Sequence, residues 1–248
     1  MDLNLRDKVA VITGCSAGIG RQIAKALAAE WVKTAIVARR GDRLEALQKE
    51  IVAKGGPCPL SITADLYEPS ASTMIANRVH AHYGQVDIVV NNAGGSRPID
   101  AGTSESVWDD AHMLNFTAVR KLTEQFLPGM KERRFGRVFT IGGQPEPEGV
   151  NATGVSKAAT VTWVKGLSRE VGRYGITVNA ISPGKIHSEQ IDRAYPPHVR
   201  AVWEKRIPVG YFGDPQDLAT LVVFLSSPLA RYITGQRISV DGGLRASI

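Results

Sequence analysis

Cysteine is scarce in this chain: its 248 residues hold only Cys15 and Cys58. Two thiols make no disulfide framework and lack metal-ligand spacing, so no metal site is expected. No apolar run reaches bilayer-spanning length, and the opening MDLNLRDK lacks the apolar core of a secretory signal. The cytoplasm, with no membrane partner, is therefore expected. A Pro/Ser/Gly-rich linker, an internal repeat and a low-complexity segment are all missing, which favours one α/β domain over two small ones. Strong charge is missing too. A formal net charge of +6, with 22% charged and 43% hydrophobic residues, suits an anionic small ligand and does not require nucleic acid. The KERR cluster at 131–134 reads as a solvated helix end.

What is present is organised around VAVITGCSAGIG, residues 9–20. Val9 to Ile12 form an apolar, partly β-branched run too short for a helix, and Thr13-Gly14 breaks it at once. Gly14, Gly18 and Gly20 lead into RQIAKALAAEW, where Ile23, Leu27 and Trp31 recur every four residues and predict a helical stripe. Strand, glycine turn and helix let backbone approach a diphosphate, with free N–H groups and the positive end of the helix dipole facing the anion. The spacing is G-x-x-x-G-x-G, not the usual dinucleotide G-x-G-x-x-G, and by itself it also fits a tight connection.

TAIVARR (34–40) reads as a second strand ending in two arginines. A carboxylate there would accept the ribose hydroxyls of NAD, whereas an arginine favours the extra phosphate of NADP. Arg39 is thus the expected cofactor selector, with Ser16 and Arg40 as helpers, and NADP(H) is expected over NAD(H). RLEALQKEIVAK predicts a helix with Leu44, Leu47 and Ile51 on one face. The strand around PLSITADL puts Asp65 at its carboxyl end, within reach of an adenine. TMIANRVHAHYG reads as a third helix, and VDIVVNNAGG as a strand whose Asn91, Asn92, Ala93 and Gly94 lie at the carboxyl edge of the sheet. A long helix is expected over 104–132, with Asn115 among apolar neighbours, where a buried amide needs partners. A strand (137–141), the irregular GGQPEPEG, the helix TGVSKAATVTWVKGLSREVG, the strand ITVNAISPG and a closing GQRISVDGG follow. This alternation predicts a parallel sheet covered on both faces.

In this order, Thr13-Gly14-Cys15-Ser16-Ala17-Gly18-Ile19-Gly20, Asn91-Asn92-Ala93-Gly94, Asn115, Ser156-Lys157-Ala158-Ala159, Asn179, Pro183-Gly184, Thr234-Gly235 and Asp241-Gly242-Gly243 resemble the landmarks of the short-chain dehydrogenase/reductase superfamily. The resemblance covers essentially the whole chain. It implies a single Rossmann domain over 1–248, with a seven-stranded doubly wound parallel sheet of order 3-2-1-4-5-6-7. It also implies a bound nicotinamide dinucleotide, a small-molecule substrate, and a homotetramer built on two long central helices and the last strand. Gly14, Ser16, Gly18, Ile19, Gly20, Arg39, Arg40, Asp65, Asn92, Ala93, Gly94, Lys157, Pro183 and Gly184 are then the cofactor-binding candidates. Ile186 and Ser188 occupy the places that hold the nicotinamide carboxamide. Residues 185–212 correspond to a substrate lid. There Tyr195, Val202 and Trp203 are possible wall residues, and Arg193, Arg200 and Lys205 lie at the rim, but ordinary packing explains them equally well.

The family's chemistry uses a serine, a tyrosine and a lysine four residues beyond the tyrosine, with an asparagine completing the group. The lysine is Lys157 and the asparagine Asn115, but four residues before Lys157 stands Thr153. The strand that usually ends in serines ends in Ile141-Gly142-Gly143. A phenol titrates near 10 and responds to a lysine ammonium; an aliphatic hydroxyl is a far weaker acid, so Thr153 cannot simply inherit the role.

Three readings follow. One is an NADP(H)-dependent reductase acting on a carbonyl or a conjugated enoyl or oxoacyl substrate, with Lys157, Asn115 and Thr153 delivering the proton through water. Glu146, Glu148, Ser156 and His187 are further candidate donors in this reading. Another is a dinucleotide-binding protein without redox turnover, a sensor or partner subunit. The third, a lyase or dehalogenase, fits less well because the glycine turn is intact.

Overall fold

The computed structural model describes residues 2–95, 99, 102–142, 149–189, 191 and 195–245. Seven strands, β1 (Val9–Thr13), β2 (Lys33–Ala38), β3 (Leu60–Thr63), β4 (Ile88–Asn91), β5 (Gly136–Ile141), β6 (Ile176–Pro183) and β7 (Arg237–Val240), form one sheet of order 3-2-1-4-5-6-7. Every pairing is parallel. The described α-helices are α1 (Gly18–Ala29), α2 (Gly41–Ala53), α3 (Ala71–Tyr83), α4 (Glu105–His112), α5 (Ala118–Arg133), α6 (Ala152–Val171), α7 (Pro197–Arg206) and α8 (Pro215–Ser226).

The strands are near-continuous apolar runs because both of their faces are covered. Successive side chains point to opposite sides, which splits each strand between two cores. Ile12, Ile36, Val90, Phe139 and Ile181 pack with α1, α2 and α8. Val11, Val37, Val89, Val138 and Val178 pack with α3, α5 and α6. Ile12 is registered against both Ile36 and Val90, so the strand order reverses beside β1. That reversal opens a crevice at the carboxyl ends of the strands.

Two expectations need correction. Ile23 and Leu27 are buried as predicted, but α1 stops at Ala29. Trp31 lies past its end in a left-handed conformation (φ 61°), half-exposed, with the Arg6 guanidinium 4.4 Å above its ring. The chain has already turned there, since the Val32 N–H donates back to the Leu27 carbonyl. The long helix at 104–132 also contains a π-helical turn, Met113–Thr117, between α4 and α5. Such a turn inserts one residue into the helical repeat and is frequent at functional sites. Asn115 sits inside it. Among the described residues, no helix is long and apolar enough to cross a membrane.

Candidate active site

A cleft of about 1330 Å³ runs along the carboxyl edge of the sheet. Its floor is the turn from β1 into α1. Gly14 has φ +74°, and a Cβ on it would stand 2.7 Å from Asn92 Nδ2 and 2.9 Å from Ala93 Cα, so only glycine lets the two loops approach this closely. Thr13 Oγ1 accepts from the Asn92 and Ala93 amides (3.1 and 3.0 Å), and Asn92 Nδ2 donates to the Thr13 and Gly14 carbonyls (3.0 and 3.2 Å). Asn92 therefore braces the turn as well as lining the cleft. The N-terminus of α1 has no side-chain cap, and Ser16, Gly18 and Ile19 beside it line the cleft. Uncapped amides at a helix N-terminus bind anions, and this cradle fits the diphosphate of a dinucleotide. Cys15 lies in the same turn but is an inert thiol, fully buried and pushed up to about 12 by that burial.

At one end of the cleft, Arg39 is well exposed and lies 3.9 Å from Asp65 Oδ2. Arg40 Nη2 donates to Ser16 Oγ at 2.8 Å. Glu189, from the segment after β6, receives Arg43 at 2.9 Å and Arg40 at 3.5 Å. Arg43, and behind it Arg40, hold the Glu189 carboxyl below the usual carboxylate range. Sequence reasoning missed Arg43 and Glu189; the one available signal was a third basic residue one turn into α2.

Further along the edge, Lys157, Thr153 and Asn115 come together. Asn115 Nδ2 donates to the Ala111 carbonyl (2.8 Å), and the Asn115 carbonyl accepts from Thr160 Oγ1 (2.7 Å). Its Oδ1 is buried with no partner. A Cβ on Gly94 would lie 2.9 Å from that oxygen and 3.5 Å from Lys157 Nζ, so amide oxygen and ammonium converge on one point. Lys157 Nζ donates to the Ile141 carbonyl at 3.3 Å, and loss of surrounding water lowers its pKa to about 8. Thr153 is buried, and its Oγ1 donates to the Gly95 carbonyl at 2.7 Å. Residues 153 and 157 share a helix face because they are four apart.

The other candidates divide. Pro183, Ile186 and Ser188 line the cleft, although Ser188 Oγ already accepts from the Ile191 amide at 3.1 Å. Gly20 and Gly184 support it from behind: a Cβ on Gly20 would lie 2.6 Å from the Gly14 carbonyl, and one on Gly184 2.6 Å from Asp241 Cα. Asn91 is structural, donating to Thr123 Oγ1 at 2.9 Å. Ser156 Oγ donates to the Ala152 carbonyl within α6, and the His187 ring packs 5.8 Å from that of buried Phe212. Gly143, Glu146, Glu148 and Arg193 lie outside the described residues. Among the described residues, no group of three or more His, Cys, Asp or Glu could hold a metal ion.

A family model described as Enoyl-(Acyl carrier protein) reductase matches residues 14–245. The chain belongs to the short-chain dehydrogenase/reductase family. That family is one of NAD(P)-dependent oxidoreductases. The Escherichia coli K12 3-oxoacyl-[acyl-carrier-protein] reductase FabG is 34% identical over 246 residues, covering 98% of this chain and 99% of that one. Among solved short-chain dehydrogenase/reductase folds, the L-sorbose reductase of Gluconobacter frateurii, complexed with NADPH and L-sorbose, superposes with a TM-score of 0.94 at 30% identity, covering 100% of both chains. YwfH, an NADPH-dependent reductase involved in bacilysin biosynthesis, gives 0.93 at 27% identity, covering 98% of this chain and 100% of its own.

Proposed function

We propose that the chain is a cytoplasmic NADP(H)-dependent reductase of a carbonyl or conjugated enoyl or oxoacyl substrate, working without the family's tyrosine. The observation carrying this reading is the convergence of Lys157 Nζ and the unpartnered Asn115 Oδ1 beside Gly94. The reduced nicotinamide, when bound, supplies the hydride. The chain's own residues do the rest. Amides after Gly14 hold the diphosphate, with Asn92, Ala93 and Gly94 along the opposite wall. Arg39, Arg40 and Ser16 take the 2′-phosphate, and Asp65 faces the adenine. Pro183, Ile186 and Ser188 hold the carboxamide, and Lys157 clasps the ribose.

The proton leaves Lys157 Nζ through a water that also donates to Asn115 Oδ1. With its pKa near 8, that ammonium is a competent acid at neutral pH. The Thr153 hydroxyl donates its hydrogen bond to the Gly95 carbonyl, and its lone pairs remain to steady the water. Residues 185–212 act as the lid, and α5, α6 and β7 form the contacts of a homotetramer.

That commitment of the Thr153 proton also favours a second reading, a dinucleotide-binding protein without turnover. Mixing the protein with NADPH and a panel of ketones, quinones, enoyl thioesters and free oxo and enoic acids, and following reduced-nicotinamide absorbance, separates the two. Consumption on any substrate class establishes the reductase. Tight NADPH binding with no consumption on any of them establishes the binding protein.

A further inference from the structure

The charges lining the cleft are distributed unevenly. Its described acids, Asp65 and Glu189, stand at the arginine end and are engaged by Arg39, Arg40 and Arg43. Two ammonium groups, Lys157 and Lys185, line the cleft as well. Lys185 directly follows the Pro183-Gly184 stop of β6, so the topology puts it at the carboxyl edge. Its Nζ lies 3.9 Å from the centre of the Trp203 ring and 4.6 Å from that of Tyr195, and donates to the Tyr195 hydroxyl at 2.7 Å. The Trp203 face and the Tyr195 hydroxyl thereby fix where the charge sits. Tyr195 is itself held, its carbonyl accepting from Arg200 Nε at 2.7 Å and its ring set edge-on to Trp203 at 6.2 Å.

Among the described residues, no carboxylate pairs with Lys185. An ammonium has three donors, and the Tyr195 hydroxyl takes one. That hydroxyl accepts from Lys185, so its own proton is left to give. An N–H and an O–H donor thus stand side by side on a half-buried, positively charged wall. A carboxylate, with two acceptor oxygens, is the group that satisfies both.

We infer that Lys185 and Tyr195 form a carboxylate anchor, and that the substrate is an oxo or conjugated acid taken as its free anion, not as a neutral ketone or ester. This inference rests on the reductase reading for its placement of the substrate, but not for its test. The test titrates the protein with saturated carboxylates from acetate to octanoate, and with their methyl esters, following tryptophan emission; Trp203→Phe identifies the signal. At least one carboxylate is expected to bind the wild type about tenfold or more tighter than its ester. Lys185→Met is expected to remove that preference, Tyr195→Phe to weaken it, and Lys185→Arg to retain it. Should Lys185→Met fail to fold, Tyr195→Phe carries the comparison.

Equal binding of acids and esters by the wild type, or an undiminished preference in Lys185→Met, would overturn the anchor. Because the titration needs neither cofactor nor turnover, the two ideas fail separately. Acid-selective binding without NADPH consumption keeps the anchor and removes the reductase. Consumption of 3-oxohexanoate and its methyl ester with equal KM keeps the reductase and removes the anchor.

Discussion

The two edges of the sheet treat buried charged groups in opposite ways. At the amino edge, Arg137 is fully buried at the start of β5, yet its guanidinium donates to the carbonyls of Gly136, Gly175 and Ser227 and stacks 4.4 Å from the Phe135 ring. Asp87, equally buried, accepts from the Val9 amide at 3.0 Å and Gln85 Nε2 at 3.2 Å, with Arg133 3.8 Å away. At the carboxyl edge, Asn91 Oδ1, Asn115 Oδ1, Thr140 Oγ1 and Ser182 Oγ are buried without partners, and Lys157 is desolvated with a single carbonyl to donate to. Thr34 Oγ1 and Thr177 Oγ1, near the amino ends of β2 and β6, are buried without partners as well, so the edges differ in their charged and amide groups and not in every hydroxyl. Those left with unspent capacity, Lys157 and the amide oxygen of Asn115, stand where a ligand enters. The amino edge holds the sheet together, and the carboxyl edge is available for chemistry.

That contrast can be broken at either edge. The largest effect is expected from Lys157→Ala. It removes the ammonium from the carboxyl edge, so NADPH consumption is abolished and NADPH titration shows weakened binding, while circular dichroism keeps the wild-type signal. Wild-type turnover in this variant would remove Lys157 from the site. Next comes Arg137→Ala, which leaves the Gly136, Gly175 and Ser227 carbonyls short of donors. Urea unfolding is expected to lose about 2–4 kcal/mol, with NADPH affinity in the surviving folded protein unchanged; a loss of affinity would mean that the two edges are coupled.

Arg39→Asp should shift the NADPH-to-NADH affinity ratio about tenfold toward NADH, by repelling the 2′-phosphate; an unchanged ratio rejects Arg39 as selector. The smallest effect is one of pH. Lys157 has a folded-state pKa of about 8 against an ordinary 10.5, so between those values the unfolded chain binds more protons and stability rises with pH. Lys157→Met should therefore raise the Tm of the cofactor-free protein by a few degrees at pH 7, and the gain should vanish by about pH 10.5. A gain that persists at high pH would trace to packing instead of charge.

Much of this organisation is legible in the chain itself, for physical reasons. The β1–α1 turn is local: an apolar run, closely set glycines and a helical stripe lie within one stretch, and the structure keeps them together. Arg39, Arg40 and Asp65 follow from strand ends, which the sheet gathers at one edge. What stayed hidden depends on distance or on a single atom. The Glu189 carboxylate meets Arg43 across 146 positions of sequence, and no local pattern encodes that meeting. The Thr153 bond to Gly95 turns on where one hydroxyl points. The π turn carries no residue signature, so 104–132 reads as one regular helix. Trp31 fits the stripe by spacing, but the chain leaves the helix two residues earlier.

That π turn also divides one rod into two halves of independent phase. Each residue of an α-helix advances the chain by about 100°, so deleting one position within Met113–Thr117 would rotate α4 by roughly that angle about the axis of α5. Leu122, Phe126 and Met130 would keep their seats against the sheet, while Ala111 and the carbonyl it lends to Asn115 would swing away. The extra residue acts as a phase adjuster: it sets the angle of the far half of the rod without disturbing the half that anchors it.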